Sequence, residues 1–178
     1  MEYKVRDSRR AFDGKVFNVR VDVLDGPAGI TSRVDIVEHP GAIALIPIDE
    51  QDRVWLVRQY RHPAGEELLE LPAGTMNPGE SPAVCATRES REEIGMAPGE
   101  LIPLGGTFLA PGYSNEYVHF FLAQGLYAAP LPPDPDEVLH LEKIPWRKLW
   151  KLSADGSIRD AKTLAGLTLA RLWLENFE

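Results

Sequence analysis

Residues 81–96, SPAVCATRESREEIGM, constrain this chain more tightly than any other stretch. Ser81 is a natural N-cap, and Pro82 suits the first helical position, where its missing N–H costs nothing. Gly95 stands where a helix commonly ends on a left-handed residue. Between them Val84 and Cys85, then Arg88 and Ile94, give a helix with one partly apolar face. The same helix crowds its charges: Glu89 meets Glu92 at i+3 and Glu93 at i+4. Each like-charge pair destabilises an isolated helix by roughly 0.2–0.5 kcal/mol. Such a face is either left to solvent or holds something positive.

The rest of the chain reads mostly as strands. KVFNVRVDVL (15–24) places Phe17, Val19, Val21 and Val23 on alternate positions, DGPAG is a turn, and ITSRVDIVE resumes the alternation. The first forty residues are thus expected to form an antiparallel meander, with residues 41–178 as the main domain. There AIALIPI is a buried strand, RVWLVRQY a second, and LLELPAG a short third. LIPLGGTFLA, YVHFFLA and EVLHLEKI add three more. PWRKLWKL is a short helix, and DAKTLAGLTLARLWLENF a longer one capped by Asp160. Strands mixed with three helices predict an α/β or α+β fold with a mixed sheet between helices.

Composition narrows the partners. The net charge is −8 with no block of basic residues, which argues against a nucleic-acid or membrane-surface binder. AIALIPI is too short to cross a bilayer, and the N-terminal residues lack the apolar core of a secretory signal. Cys85 is the only cysteine, so no disulfide within the chain and no cysteine-built zinc site can form. A soluble protein of the cytoplasm is the expectation.

The charged helix belongs to a longer pattern. Gly74 is followed after five residues by Glu80, after seven more by Arg88-Glu89, after two by Glu92-Glu93, and after one by Gly95 and Met96. This resembles the Nudix box. Ser90 departs from it, standing where the box has a bulky apolar residue. At 3.6 residues per turn Glu89 and Glu93 lie nearly above one another, with Glu92 on the flank. Oxygen-only donors suit hard cations such as Mg²⁺ or Mn²⁺. Arg88 can pair with Glu92 at i+4 and hold the set in place.

VRQYR (57–61), ELPAGT (70–75), APGYSNE (110–116) and GSIRDAKTLAGL near the C-terminus further resemble the ADP-ribose pyrophosphatase branch of that family. Pro111 lies fifteen residues beyond Met96, as that branch has it. The resemblance implies hydrolysis of ADP-ribose to AMP and ribose 5-phosphate with two or three Mg²⁺ ions, Mn²⁺ being the alternative. It implies metal ligands at the Ala73 carbonyl, Glu89 and Glu93, with Glu92 shared. It places Arg61 on the substrate's phosphates, Glu116 in the pocket, and Glu137 as general base, with Asp134 and Asp136 close enough in sequence to exchange with it. Arg58 is a weaker substrate contact, and Arg33 one that could reach the nucleobase. It also implies a homodimer joined through the N-terminal meander. Two alternatives stay open: another nucleotide sugar such as GDP-mannose as substrate, or a non-catalytic module that senses ADP-ribose.

Overall fold

The computed structural model describes residues 2–135 and 137–177. The chain forms two compact units. One runs to Gly41 and takes in Thr107–Tyr117; the other holds Ala42–Gly106 and the chain from Val118 onward.

The first unit is built on β1 (Lys4–Asp13), β2 (Asn18–Asp25) and β3 (Thr31–Glu38), an antiparallel sheet in that order. A 3-10 turn at Pro27–Gly29 joins β2 to β3 where the sequence predicts a turn. The meander expected over the first forty residues includes β1, which was not singled out as a strand. Its ten residues are all exposed, so it shows no inward apolar face to read. The sheet buries one charge, Asp22, which accepts from Ser8 Oγ at 2.6 Å and from Arg20 Nε at 3.0 Å.

The second unit contains β4 (Ala42–Pro47), β5 (Arg53–Arg61), β6 (Glu66–Glu70), β7 (Ala73–Thr75), α1 (Pro82–Glu93), β8 (Met96–Ala97), β9 (Glu100–Phe108), β10 (Tyr117–Gln124), β11 (Tyr127–Ala128), β12 (Leu139–Pro145), α2 (Trp146–Ala154) and α3 (Ala161–Phe177); the ends of β9 and β10 run on into the first. One sheet has the order β7-β4-β10-β9, with β10 parallel to β4 and β7 antiparallel to it. A second is antiparallel, β12-β5-β6, and β8 pairs with β11. Every residue of β4 is buried, as a near-continuous apolar strand must be when both faces are covered. On one face Ile43, Leu45, Phe121 and Ala123 pack with Cys85 and Ala86 of α1. On the other, α3 comes so close that a Cβ on Gly166 would lie 2.6 Å from Leu71 Cδ1 and 2.9 Å from Phe120 Cδ1. The mixed sheet between helices is therefore as expected. No helix among the described residues is long and apolar enough to cross a membrane.

The single strand expected at LLELPAG is two. β6 pairs with β5 and β7 with β4, so the chain changes sheets at Leu71-Pro72. Proline cannot donate to a ladder, but its carbonyl still accepts, here from Leu45 N–H at 2.8 Å. This switch brings Glu70 to one sheet and Ala73-Gly74 to the other.

Helix α1 ends as its sequence dictates. Ser81 Oγ accepts from Val84 N–H at 3.4 Å, and Gly95 is left-handed with φ 71°. Ser90 is fully buried, and among the described residues its Oγ has no hydrogen-bond partner. A buried hydroxyl without a partner costs about 1–3 kcal/mol, and alanine is the better helix former. Ser90→Ala is expected to raise stability by about 1 kcal/mol, moving Tm up by roughly 2–4 °C in thermal melts. A lower Tm would mean that the hydroxyl has a partner.

Candidate active site

The side chain at the centre of α1 is Arg88. Its Nε and Nη2 grip the two oxygens of Glu80 at 2.9 and 3.0 Å, while Nη1 reaches Glu89 Oε1 at 2.7 Å and Glu92 Oε2 at 2.8 Å. Nη2 also donates to the Thr75 carbonyl at 3.3 Å. One guanidinium thus ties three carboxylates and a β7 carbonyl together, a use its planar fork suits and a lysine could not match. The expected pairing with Glu92 is one part of this. Glu80 is a clamp: besides Arg88 it accepts Asn77 N–H at 2.9 Å. The Arg88 contact holds its carboxyl down at about 2.

Glu89 and Glu93 differ from Glu80 in environment. Glu89 is buried. Burial pushes its carboxyl up to about 7 against the pull of Arg88, with Glu92 and Glu137 adding repulsion. Loss of solvent raises Glu93 well above the ordinary carboxylate range, and the charges of Glu89 and Glu137 raise it further. Glu93 Oε2 accepts the Ala73 N–H at 3.0 Å, so β7 is tied to the last turn of α1. Gly74 explains itself here: a Cβ at that position would sit 1.8 Å from Glu89 Oε1. Any larger residue here would displace the Glu89 carboxylate from its present position.

Glu137 is half-buried in the loop before β12, its N–H donating to the Asp134 carbonyl at 3.0 Å, and its charge is felt by both Glu89 and Glu93. Asp134 is exposed, and Asp136 lies outside the described residues. Arg61 also belongs to this neighbourhood, for Glu93 is among the charges that raise its pKa. Its Nε and Nη2 lie on the two oxygens of Glu70, both at 2.8 Å.

Arg58, Arg33 and Glu116 are the remaining candidates. Arg58 alternates with Arg61 along β5 and so faces the opposite side, where its Nε donates to Glu142 at 2.6 Å. Arg33, exposed on β3, is paired with Asp35 at 3.3 Å. Glu116 is half-buried, its N–H on Ser114 Oγ at 3.1 Å and its carbonyl accepting from Leu109 N–H at 3.2 Å. Arg33 and Glu116 both belong to the first compact unit. Sequence reasoning missed Glu70 and its second partner Lys162, whose Nζ lies 2.6 Å from Glu70 Oε2. The available signal was a lone carboxylate inside the apolar run LLELP, because a charge that folds into a core needs a partner.

As the side chains stand, no three acidic, histidine or cysteine residues among those described already converge as a cation cage. The donors fit a hard divalent ion nonetheless: Glu89 and Glu93 are desolvated oxygen donors whose mutual repulsion a cation would relieve, as a proton does in its absence.

Comparison with known proteins gives the family. The family model of the NUDIX domain matches residues 37–167. The chain is 31% identical over 174 residues to an ADP-ribose pyrophosphatase of Bacillus subtilis (strain 168), covering 97% of this chain and 94% of that protein. It is 34% identical over 175 residues to the methanol dehydrogenase activator of Bacillus methanolicus, covering 96% and 94%. A crystal structure of an ADP compounds hydrolase superposes with a TM-score of 0.88 at 26% identity, over 98% of this chain and 95% of that one. The box at residues 74–96, the buried Glu89 beside Glu93 on α1 and a family match over most of the chain converge, and the protein belongs to the Nudix family.

Proposed function

We propose that this protein is a Mg²⁺-dependent pyrophosphohydrolase that cleaves ADP-ribose to AMP and ribose 5-phosphate. The observation that carries the reading is the set of desolvated, mutually repelling carboxylates Glu89 and Glu93 beside Gly74, with Glu137 close enough to raise both. The full-length similarity to an ADP-ribose pyrophosphatase supports the choice of substrate. Glu89, Glu93 and the Ala73 carbonyl are the proposed metal ligands, with Glu92 shared. Bound there, Mg²⁺ or Mn²⁺ would neutralise the pyrophosphate and acidify an attacking water. The protein's own part is to hold and steer. Arg88 aligns the carboxylates, Arg61 offers its guanidinium to the phosphates, and Glu137 takes the proton from the water that attacks phosphorus. Arg33 and Glu116, from the first unit, are proposed contacts to the rest of the nucleotide sugar. Arg58, turned to the other face of β5, is left out.

Purified protein with Mg²⁺ and ADP-ribose should release AMP and ribose 5-phosphate in equal amounts; AMP no higher than in a metal-free control would sink the proposal. A panel that includes GDP-mannose ranks the X group by kcat/KM, since specificity is that ratio.

The lone cysteine is a buried free thiol, which suits a reducing compartment such as the cytoplasm. Pairing of two copies through the first unit is supported by β1, an edge strand exposed along its whole length with Val5 and Phe12 on it. Sedimentation should report a dimer, and a monomer at micromolar concentration would overturn this.

Glu137→Gln removes the base and is expected to lower kcat by about 10²–10⁴-fold with little change in KM. An unchanged kcat would move the base to a neighbouring carboxylate. Glu93→Gln is expected to lower kcat by roughly 10²–10³-fold, the scale for losing one electrostatic stabiliser.

Stability without metal should depend on pH. Glu89 unfolds from about 7 to its ordinary 4.5, and Glu93 falls in the same direction. The native state therefore binds more protons than the unfolded one. Stability is full below the unfolded value and is lost as pH rises through about 7. Glu80 works the other way, contributing above 4.5 and losing its effect as pH falls toward 2. Melts in chelator should show Tm falling from about pH 5 to pH 8, less steeply in Glu93→Gln, and Mg²⁺ should flatten the slope. An equal slope with and without Mg²⁺ would count against the metal assignment.

A further inference from the structure

Glu70 is a charged side chain only 1% exposed, and two cations converge on it. Arg61 covers both its oxygens from β5, and Lys162 Nζ reaches Oε2 at 2.6 Å from the first turn of α3. Lys162 is itself held by Asp160 Oδ1 at 2.9 Å. The other oxygen of Asp160 caps α3, accepting from Thr163 N–H at 2.8 Å and from its Oγ1 at 2.6 Å. Thr163 Oγ1 in turn accepts the Leu71 N–H at 2.8 Å. The start of α3 is thereby fastened to the point where the chain changes sheets.

We propose that Glu70 and Lys162 are positioning residues that aim Arg61 at the phosphates of the substrate; this rests on the role given to Arg61 above. An arginine at a strand end would otherwise sample many rotamers. Here the Nε/Nη2 edge is seated on a buried carboxylate, so the plane of the guanidinium is set and its Nη1 edge points away from Glu70. Glu93 acts on the same guanidinium electrostatically, and Glu93 is tied through the Ala73 N–H to the strand that follows Glu70. Lys162 has the complementary task. A phosphate that draws on the charge of Arg61 would leave Glu70 buried and poorly compensated, a costly state. With Lys162 in place Glu70 keeps a counter-ion while Arg61 engages the ligand. Neither residue needs to touch the substrate.

The test compares Arg61→Ala, Glu70→Gln, Lys162→Met, Lys162→Arg and the double variant Arg61→Ala/Glu70→Gln. KM and kcat are measured for ADP-ribose with Mg²⁺, and the affinity for inorganic pyrophosphate by calorimetry. Glu70→Gln is expected to raise KM by roughly ten- to a hundredfold, with kcat changed less, the scale at which misplaced positioning groups cost. Lys162→Met should raise it by a smaller factor and Lys162→Arg should restore it. The double variant should be no worse than Arg61→Ala alone, because Glu70 acts only through Arg61. Losses that multiply in the double variant, or a fall in Tm with KM unchanged, would overturn the proposal. If Glu70→Gln does not fold, the Lys162 pair carries the same comparison. If the wild type turns over no ADP-ribose, the functional reading fails and pyrophosphate affinity decides this one. An affinity weakened by both Arg61→Ala and Lys162→Met supports it, and one indifferent to either refutes it.

Discussion

Arg88 is the contact on which the candidate site depends. It gathers Glu80, Glu89 and Glu92 within hydrogen-bond reach of one guanidinium and reaches across to the Thr75 carbonyl. Without it, the crowding on α1 would be simple repulsion. With it, part of the negative charge is neutralised and aligned, and the remainder is left on Glu89 and Glu93, the two groups that solvent does not stabilise. Glu80 is held ionised as a clamp, while burial raises Glu89 and Glu93 against the pull of the neighbouring guanidinium groups. That imbalance is what the proposed metal would relieve, and it is confined to two residues on a helix capped at both ends.

The second organising feature is the change of sheets at Leu71-Pro72. Upstream of it Glu70 closes on Arg61; downstream, Ala73 N–H binds Glu93 and Gly74 makes room for Glu89. Residues 70–74 therefore connect the arginine proposed for the phosphates to the carboxylate pair proposed for the metal. Asp160, Lys162 and Thr163 brace that connection from α3. The C-terminal helix, far away in sequence, is in this way part of the frame of the site.

Much of this could be read in the sequence because it is local. The caps Ser81 and Gly95, the i,i+4 relation of Arg88 to Glu92, and the cap Asp160 all depend on residues within one or two turns of each other. Arg61, by contrast, was singled out only through resemblance, and its partners Glu70 and Lys162 were not foreseen. The ion pair between Glu70 and Lys162 joins residues ninety-two positions apart, and no period or spacing announces it. β1 escaped for a different reason: a strand exposed on every residue has no hydrophobic alternation. Ser90 was visible as an oddity from the start. Only its burial shows that the oddity is an unpaired hydroxyl inside α1's packed face.

By itself the sequence determined the helix α1, its caps, the order of its carboxylates and the spacing that marks the family, since these follow from the geometry of a single turn and from residue type. The tertiary structure alone decided which carboxylates are stripped of water. Glu80 and Glu89 are the same residue type on one arginine, yet one is held at about 2 and the other driven to about 7. The difference comes from what the sheet and the loop carrying Glu137 pack around them, and desolvation is a property of the assembled fold that no local stretch of chain contains.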